Sequence, residues 1–433
     1  MTMAFAASAM TFPAIRACVA LASALLLLAC GGGSSSPPPV ARHFTNFQAA
    51  SVVIGQPDAT SGEPNQGGST SPHGLSTPGA MILAPQGQLL VSDSGNHRVL
   101  LFDALPEVSG ASAKAALGQS SLQAGLPFVS DKRLDRPAGV AVGHGKIAVA
   151  DWGSNRVLIF DQMPLEGTMP AAKVVLGQTG FDDSAPACAA NGMDGPNGVI
   201  ITPLGQLIVV DTNNHRVLVW KQVPETMPAP DPDLVLGQAT KAHCVPNDDL
   251  QDGTPDTSLG MPIATARTLM SPRDVWSDGR RLVVSDALNN RVLIWTSFPS
   301  DSFQPANIVL GHSDFSNTRQ NDGDRAGGAT PTARTLHHPS GVHSDGTSLA
   351  VADVGNHRAL IWNTFPSANS ASADVVLGQP GFDQVVITDT NLDGIADMPT
   401  ERNFGAPNRV LMTADSLLVS DGAFNRVMVF RKQ

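Results

Sequence analysis

The 433-residue chain has no tyrosine, and only 5% of its residues are aromatic and 15% charged. Without tyrosine, a common phenolic acid–base group is missing from any catalytic reading. Lysine and arginine total 27 against 38 aspartates and glutamates, a net charge of −11. The chain therefore lacks the basic footprint that nucleic acid as a partner would require. Four cysteines are present, none in a CxxC spacing, which weighs against a thiolate metal site. GxSxG and HExxH are also absent, so hydrolysis by a nucleophile elbow or a zincin helix is unsupported. The most apolar stretch, Ala17 to Ala29, is too short to cross a bilayer.

Arg16 precedes that stretch and Leu27-Leu28-Ala29-Cys30 ends it. A positive flank, a short apolar region and a small residue before the cleavage point make a signal peptide. Leu-Leu-Ala-Cys resembles a bacterial lipobox. The resemblance implies cleavage before Cys30 and lipidation of its thiol. Gly31 in place of Asp implies an outer-membrane destination in the cell envelope. Residues 1–29 are thus read as signal peptide, with Met3 and Met10 as further possible starts. Residues 30–49 are read as a lipid-anchored flexible linker, since GGGSSSPPP (Gly31 to Pro39) offers no core-forming side chain. The mature chain of 404 residues carries −12, because Arg16 is the only charge removed.

Beyond the linker the chain is a repeat. DSGNHRVLLF (Asp93 to Phe102) recurs as DWGSNRVLIF from Asp151, DTNNHRVLVW from Asp211, DALNNRVLIW from Asp286, DVGNHRALIW from Asp353 and DGAFNRVMVF from Asp421. A Gly-Gln phrase keeps step with it: VVIGQ, AALGQ, VVLGQ, LVLGQ, IVLGH and VVLGQ, starting at Val52, Ala115, Val174, Leu234, Ile308 and Val375. Before each Asp run comes a proline (Pro78, Pro137, Pro196, Pro272, Pro339, Pro407) with an apolar residue three positions ahead of it. Each unit offers four β-rich runs bounded by turn residues. Four-strand units in a closed ring make a propeller. The chain opens with an orphan fourth strand (Val52 to Gln56) and ends after an orphan third strand (Arg426 to Arg431). Pairing these two predicts an all-β, six-bladed β-propeller of four-stranded blades, closed by the N-terminal strand, over residues 50–433.

The D-x-x-N-H/N-R-V-L run after an apolar strand, six times in register, resembles the NHL repeat family of propellers over about residues 50–433. Asp-to-Asp steps of 58, 60, 75, 67 and 68 residues leave longer inter-blade loops than the compact NHL repeat has. The repeated Asp and Arg invite a catalytic reading, but six copies around a ring cannot serve one site. Asp suits the turn as an acceptor of backbone N–H groups, and Arg can bond it or neighbouring carbonyls. His97, His215 and His357 alternate around the ring, yet these turns lie too far from the axis to share one metal at about 2.1 Å. They read as turn residues. The aromatics ending the third strands (Phe102, Phe160, Trp220, Trp295, Trp362, Phe430) read as inter-blade core. The Gly-Gln pairs read as turns without chemistry.

Candidate functional residues remain in three places. At the channel mouth, the residues flanking the prolines vary most: Arg136, Asn197, Arg273, Asp274, His338, Asn408 and Arg409. Such a ring suits an anionic or polyhydroxylated ligand. The loop Asp389-Thr390-Asn391-Leu392-Asp393-Gly394-Ile395-Ala396-Asp397 offers oxygens from Asp389, Asn391, Asp393 and Asp397 and the Ile395 carbonyl, with glycine at the bend. That is the spacing Ca²⁺ needs, although Thr400 replaces the usual Glu. The loop resembles those of dockerins and thrombospondin-type repeats, and a structural Ca²⁺ is expected there. Asp248 to Asp256 is a degenerate copy lacking an oxygen at position 3. Cys188 and Cys244 lie in neighbouring loops and are expected to form a disulfide in an oxidising envelope.

Six similar blades, a membrane anchor and no isolated catalytic constellation favour a monomeric, non-enzymatic scaffold binding an envelope protein, a glycan or a small ligand. The alternative is a metal-dependent envelope enzyme, lyase- or lactonase-like, with its site at the central channel. The peptide-amidating lyase resembles this fold and uses zinc held by channel histidines. Here only His338 and His343 flank a first strand, so that carry-over fails.

Overall fold

The computed structural model describes residues 42–258, 260–323, 330–385 and 399–433. Cys30 and the loop from Asp389 to Asp397 lie outside them. Each copy of the repeat folds into a four-stranded antiparallel sheet. After β1 (Val52–Ile54), blade one is β2 (Pro78–Leu83), β3 (Leu89–Asp93), β4 (Arg98–Phe102) and β5 (Ala115–Leu117). Blade two is β6 (Pro137–Gly143), β7 (Lys146–Asp151), β8 (Arg156–Phe160) and β9 (Val174–Leu176). Blade three is β10 (Pro196–Ile201), β11 (Leu207–Asp211), β12 (Arg216–Trp220) and β13 (Leu234–Leu236). A small hairpin, β14 (Thr257–Ser258) and β15 (Met261–Pro262), precedes blade four: β16 (Pro272–Ser277), β17 (Leu282–Asp286), β18 (Arg291–Trp295) and β19 (Ile308–Leu310). Blade five is β20 (Pro339–Ser344), β21 (Leu349–Asp353), β22 (Arg358–Trp362) and β23 (Val375–Leu377). Blade six takes β24 (Pro407–Met412), β25 (Ser416–Asp421) and β26 (Arg426–Arg431) from the end of the chain and β1 from its beginning.

The closing strand pairs with β26 as expected, Val52 opposite Val429 and Ile54 opposite Val427. Second and third strands are buried on both faces, because each blade is stacked between two others. That is why they read as continuous apolar runs rather than alternating ones. The core is accordingly a set of seams between blades. Ile208, Val217 and Leu236 of blade three, for example, pack with Val284, Leu293 and Trp295 of blade four. The six third-strand aromatics are buried in these seams.

One polar unit recurs in every blade. The Asp ending the second strand receives the Nε–H of the Arg opening the third, at 2.7–2.8 Å in blades one to five and 3.2 Å in blade six. Both side chains are wholly buried in all six. The second carboxylate oxygen accepts a backbone N–H just ahead of the proline that opens the same blade, as from Ser76 (2.7 Å) and Met270 (2.7 Å). The far end of each Arg donates to carbonyls of the loops that enter and leave the blade. Arg98, for instance, reaches Ser71 (2.8 Å), Gly74 (3.2 Å) and Leu122 (2.5 Å). In blade six the leaving loop follows β1, and Arg426 donates to Ala59 at 2.5 Å.

The residue before each Arg adopts the left-handed conformation, with φ from 51° to 54°. It latches its blade to the next. His97 Nδ1 accepts the N–H of Arg136 (3.1 Å), and His215 Nδ1 that of Ser271 (3.0 Å). Asn155 Oδ1 accepts from Gly195, Asn290 Oδ1 from His338 and Asn425 Oδ1 from Thr77, each at 2.8 Å. Five of the histidines and asparagines thus present an acceptor in the same place. His357 instead meets the Gly405 carbonyl through Nδ1 at 2.6 Å.

The Gly-Gln pair has a structural task that the sequence did not suggest. The glycines hold φ near +90°, where a side chain is strained, and a Cβ on Gly55 would lie 2.5 Å from Leu75 of the next blade. The following Gln donates to the carbonyl of the latch residue, as Gln119 does to His97 (2.9 Å) and Gln178 to Asn155 (2.9 Å). Cys188 and Cys244 are joined by a disulfide, their Cα atoms 6.2 Å apart.

Replacing Arg216 by Met removes one half of a buried pair and strands the Asp211 carboxylate. The expected loss in urea unfolding is about 3–5 kcal/mol. An unchanged unfolding midpoint would show that the pair does not hold the blade.

Candidate functional site

Each first strand opens with its proline, and the ladder to the second strand slips immediately afterwards. The shifts fall between Pro78 and Met81, Pro137 and Gly139, Pro196 and Val199, Pro272 and Asp274, Pro339 and Gly341, and Pro407 and Arg409. A bulge exempts one or two residues from pairing and re-aims their side chains. The residues after the prolines are Gly79, Ala138, Asn197, Arg273, Ser340 and Asn408. All six line a cavity of about 160 Å³ at the channel mouth.

Arg409 forms the floor. It projects from β24 and is 6% exposed. Its guanidinium donates to the Ser340 carbonyl (2.6 Å), the Arg273 carbonyl (3.1 Å) and the Asn197 side-chain oxygen. One side chain therefore ties blade six to blades three, four and five. Asp274 lies 3.7 Å from Arg409 Nε, and its Oδ2 accepts the Val342 N–H at 3.0 Å. Burial raises the Asp274 carboxyl above its usual range, while the Arg409 charge opposes that shift. Beneath Arg409 a narrow cavity of about 50 Å³ is mostly apolar, lined by residues such as Met81, Val140, Val275 and Val410.

Arg273 stands apart. The residue is half-buried and lines the cavity, and its Nε is buried without a hydrogen-bond partner among the described residues. Burial, and then the neighbouring Arg409 charge, lowers its pKa, but a guanidinium stays protonated.

Five of the expected mouth residues thus converge: Asn197, Arg273, Asp274, Asn408 and Arg409. The two others precede their prolines and belong to the latches. Arg136 turns outward, exposed, over the Trp152 ring at 4.9 Å. His338 is half-buried, its Nε2 has no hydrogen-bond partner among the described residues, and burial followed by the Arg273 charge lowers its pKa. His343 accepts the Met412 N–H through Nδ1 (3.2 Å), and burial pushes its pKa down to about 4. Both imidazoles are neutral at pH 7. His338 precedes β20 in the left-handed conformation while His343 lies within the strand, and neither belongs to a group of three or more metal-ligating side chains among the described residues.

The loop from Asp248 to Asp256 closes on its own donors. Asp248 accepts the Gly253 N–H (2.8 Å), the Asp252 N–H (3.2 Å) and a contact from His243 Nε2 (2.8 Å). Asp256 accepts the Asp249 N–H at 2.8 Å.

Comparison with known proteins is consistent with this architecture. The NHL repeat family profile matches residues 134–160 and 193–220. No curated protein matches the chain. Among solved structures it is similar to the PQQ-bound aldose sugar dehydrogenase of Streptomyces coelicolor (17% identity, 84% of this chain and 97% of that one, TM-score 0.43). It is also similar to virginiamycin B lyase of Staphylococcus aureus (9% identity, 82% and 95%, TM-score 0.39). A third is a chain of the nidogen/laminin complex (14% identity, 68% and 81%, TM-score 0.34).

Proposed function

The chain is an NHL-repeat β-propeller, and from that premise we propose that it is a non-enzymatic binding scaffold of the bacterial envelope, with its ligand seat at the channel mouth. The observation that carries this reading is the division of labour among the polar groups. The residues with the most catalytic appearance, six buried Asp–Arg pairs, are fully committed to the blades. The polar residues that differ from blade to blade sit on bulges over a closed floor, where they contact a ligand without altering the ladder. A purified mature chain incubated with envelope metabolites should retain ligands chemically unchanged. Time-dependent conversion of a bound compound, abolished by EDTA, would instead identify a metal-dependent enzyme.

We place the protein on the membrane through a lipid on Cys30, with the outer membrane as destination. The lipobox-like Leu27-Leu28-Ala29-Cys30 supports this, and the Cys188–Cys244 disulfide suits an oxidising compartment. Cys30→Ser should move the protein from the membrane fraction to the soluble fraction of its native host. A variant that sediments with membranes as wild type does would disprove the anchor.

The loop Asp389 to Asp397 is proposed to hold a structural Ca²⁺, on the strength of its sequence pattern. Without Glu at position 12 the affinity is expected in the 10⁻⁴ to 10⁻³ M range, roughly that of extracellular modules. Millimolar Ca²⁺ should raise the melting temperature by binding the native state. Asp389→Ala combined with Asp393→Ala should abolish that rise, and a persistent rise would locate the ion elsewhere.

A further inference from the structure

The mouth is not chemically symmetric. On blades one and two its lining is small: Gly79 and Ala138, with Thr77 and Pro78 beside them. On blades three to six it is polar: Asn197, Arg273, Ser340, Asn408 and Arg409. Most of that polarity is already used. Arg409 is balanced by Asp274 and donates to carbonyls and to the Asn197 oxygen. The Ser340 hydroxyl donates to the Asn408 carbonyl at 2.9 Å. Arg409 Nε, though held near Asp274, is left without a hydrogen bond among the described residues, and two further lining residues stand out. The Arg273 guanidinium has neither an acidic partner nor a hydrogen bond among the described residues, and its Nε is buried. Asn408 lines the same cavity, and its amide nitrogen, packed beside Gly422, makes no hydrogen bond among the described residues.

A half-buried guanidinium without a counter-charge is an uncommon arrangement in a chain of net charge −11. The cost of withholding it from water is offset only when an acceptor arrives. We propose that the mouth binds a carboxylate head group, with Arg273 as its counter-ion, the Asn408 amide as a second donor and the Gly79–Ala138 side accommodating a short apolar or ring segment. This inference rests on the reading of the mouth as the ligand seat.

Charge and size together select the class. One uncompensated positive charge matches a monoanion, and the planar fork of an arginine matches a carboxylate in two-point contact. A phosphate dianion would bring a second charge with no partner, since Asp274 already occupies Arg409 and burial keeps His338 neutral. The cavity of about 160 Å³ is close to the roughly 150 Å³ that holds a benzene-sized guest. A head group of about six heavy atoms therefore fits, and the remainder of a longer ligand would extend past the rim.

The test uses the full mature chain and isothermal titration calorimetry with butyrate, glucuronate, methyl glucoside and inorganic phosphate. At least one of the two carboxylates should bind, methyl glucoside should not, and phosphate should bind more weakly than the carboxylate. Arg273→Gln should weaken carboxylate binding about tenfold or more, the scale of a lost charged hydrogen bond, with Arg273→Lys in between. The Arg273 side chain anchors nothing, so the melting temperature of Arg273→Gln should match wild type. If Arg273→Gln does not fold, Asn408→Ala provides the same comparison. Failure of both carboxylates to bind wild type, or equal binding to wild type and variant, would overturn the proposal. NMR spectra of the bound carboxylate, followed over a day, separate this from the scaffold reading. A carboxylate that binds through Arg273 and is converted upholds the site and refutes the scaffold. A propeller that retains other envelope ligands unchanged but no carboxylate does the reverse.

Discussion

The structure depends on a carboxylate and a guanidinium taken out of water together, six times over. A buried ion pair is weak support for stability, because desolvation consumes much of what the attraction returns. Here its value is positional. The pair is only one edge of each arginine's contacts; the other edge is spent on carbonyls of the loop before the blade and on one carbonyl five residues past its last strand. A guanidinium has five N–H groups in a fixed plane. With Nε committed to Asp, the remaining N–H groups dictate where both loops must lie. The long loops that distinguish this chain from a compact repeat are therefore fixed at their roots, and only their outer parts are free to differ.

The same economy governs the seams. Adjacent blades meet over apolar side chains that offer no sense of register, so direction must come from polar contacts. In five of the six blades the latch residue provides it by handing an acceptor to the backbone just ahead of the next blade's proline, and His357 does so by meeting the Gly405 carbonyl. Histidine and asparagine alternate there because both place an acceptor one ring or amide away from a left-handed backbone. In five blades the glutamine after the outer strand then takes up the latch residue's own carbonyl; in blade four His312 stands there and meets the Asn289 carbonyl instead. Polar contacts thus accompany the apolar ones along the seams.

Much of this could be read from the sequence, and the parts that could not share a cause. Six in-register copies fixed the blade count, and the phase of the first and last strands fixed the closure. The Asp and Arg were legible as structural because their number exceeded what any site could use. Cys188 and Cys244 were legible because they fell in loops at the same stage of consecutive repeats. The task of Gly55 and its equivalents was hidden because it depends on a leucine or its counterpart in the next blade. The separation of Arg136 and His338 from the mouth was hidden for a related reason. Both lie beside prolines, as Arg273 and Asn408 do, but a residue ahead of the proline is turned into a latch and one behind it into the channel. Arg409 reads as one more polar neighbour of a proline until its reach across three blades is seen. In each case the local residue was right and the partner was contributed by a distant part of the ring.

The closing strand has a bearing on time as well as on shape. Ser51 donates to the Val429 carbonyl across 378 residues of sequence. The strand made first must therefore wait for the strand made last. At roughly 5–20 residues per second, synthesis alone separates them by about 20–75 s. For that interval the opening segment has no partner in its own blade, while blades one to five can already assemble behind it. The ring consequently depends on its last strand: a chain cut short anywhere before Arg426 leaves β1 without its partner and blade six incomplete.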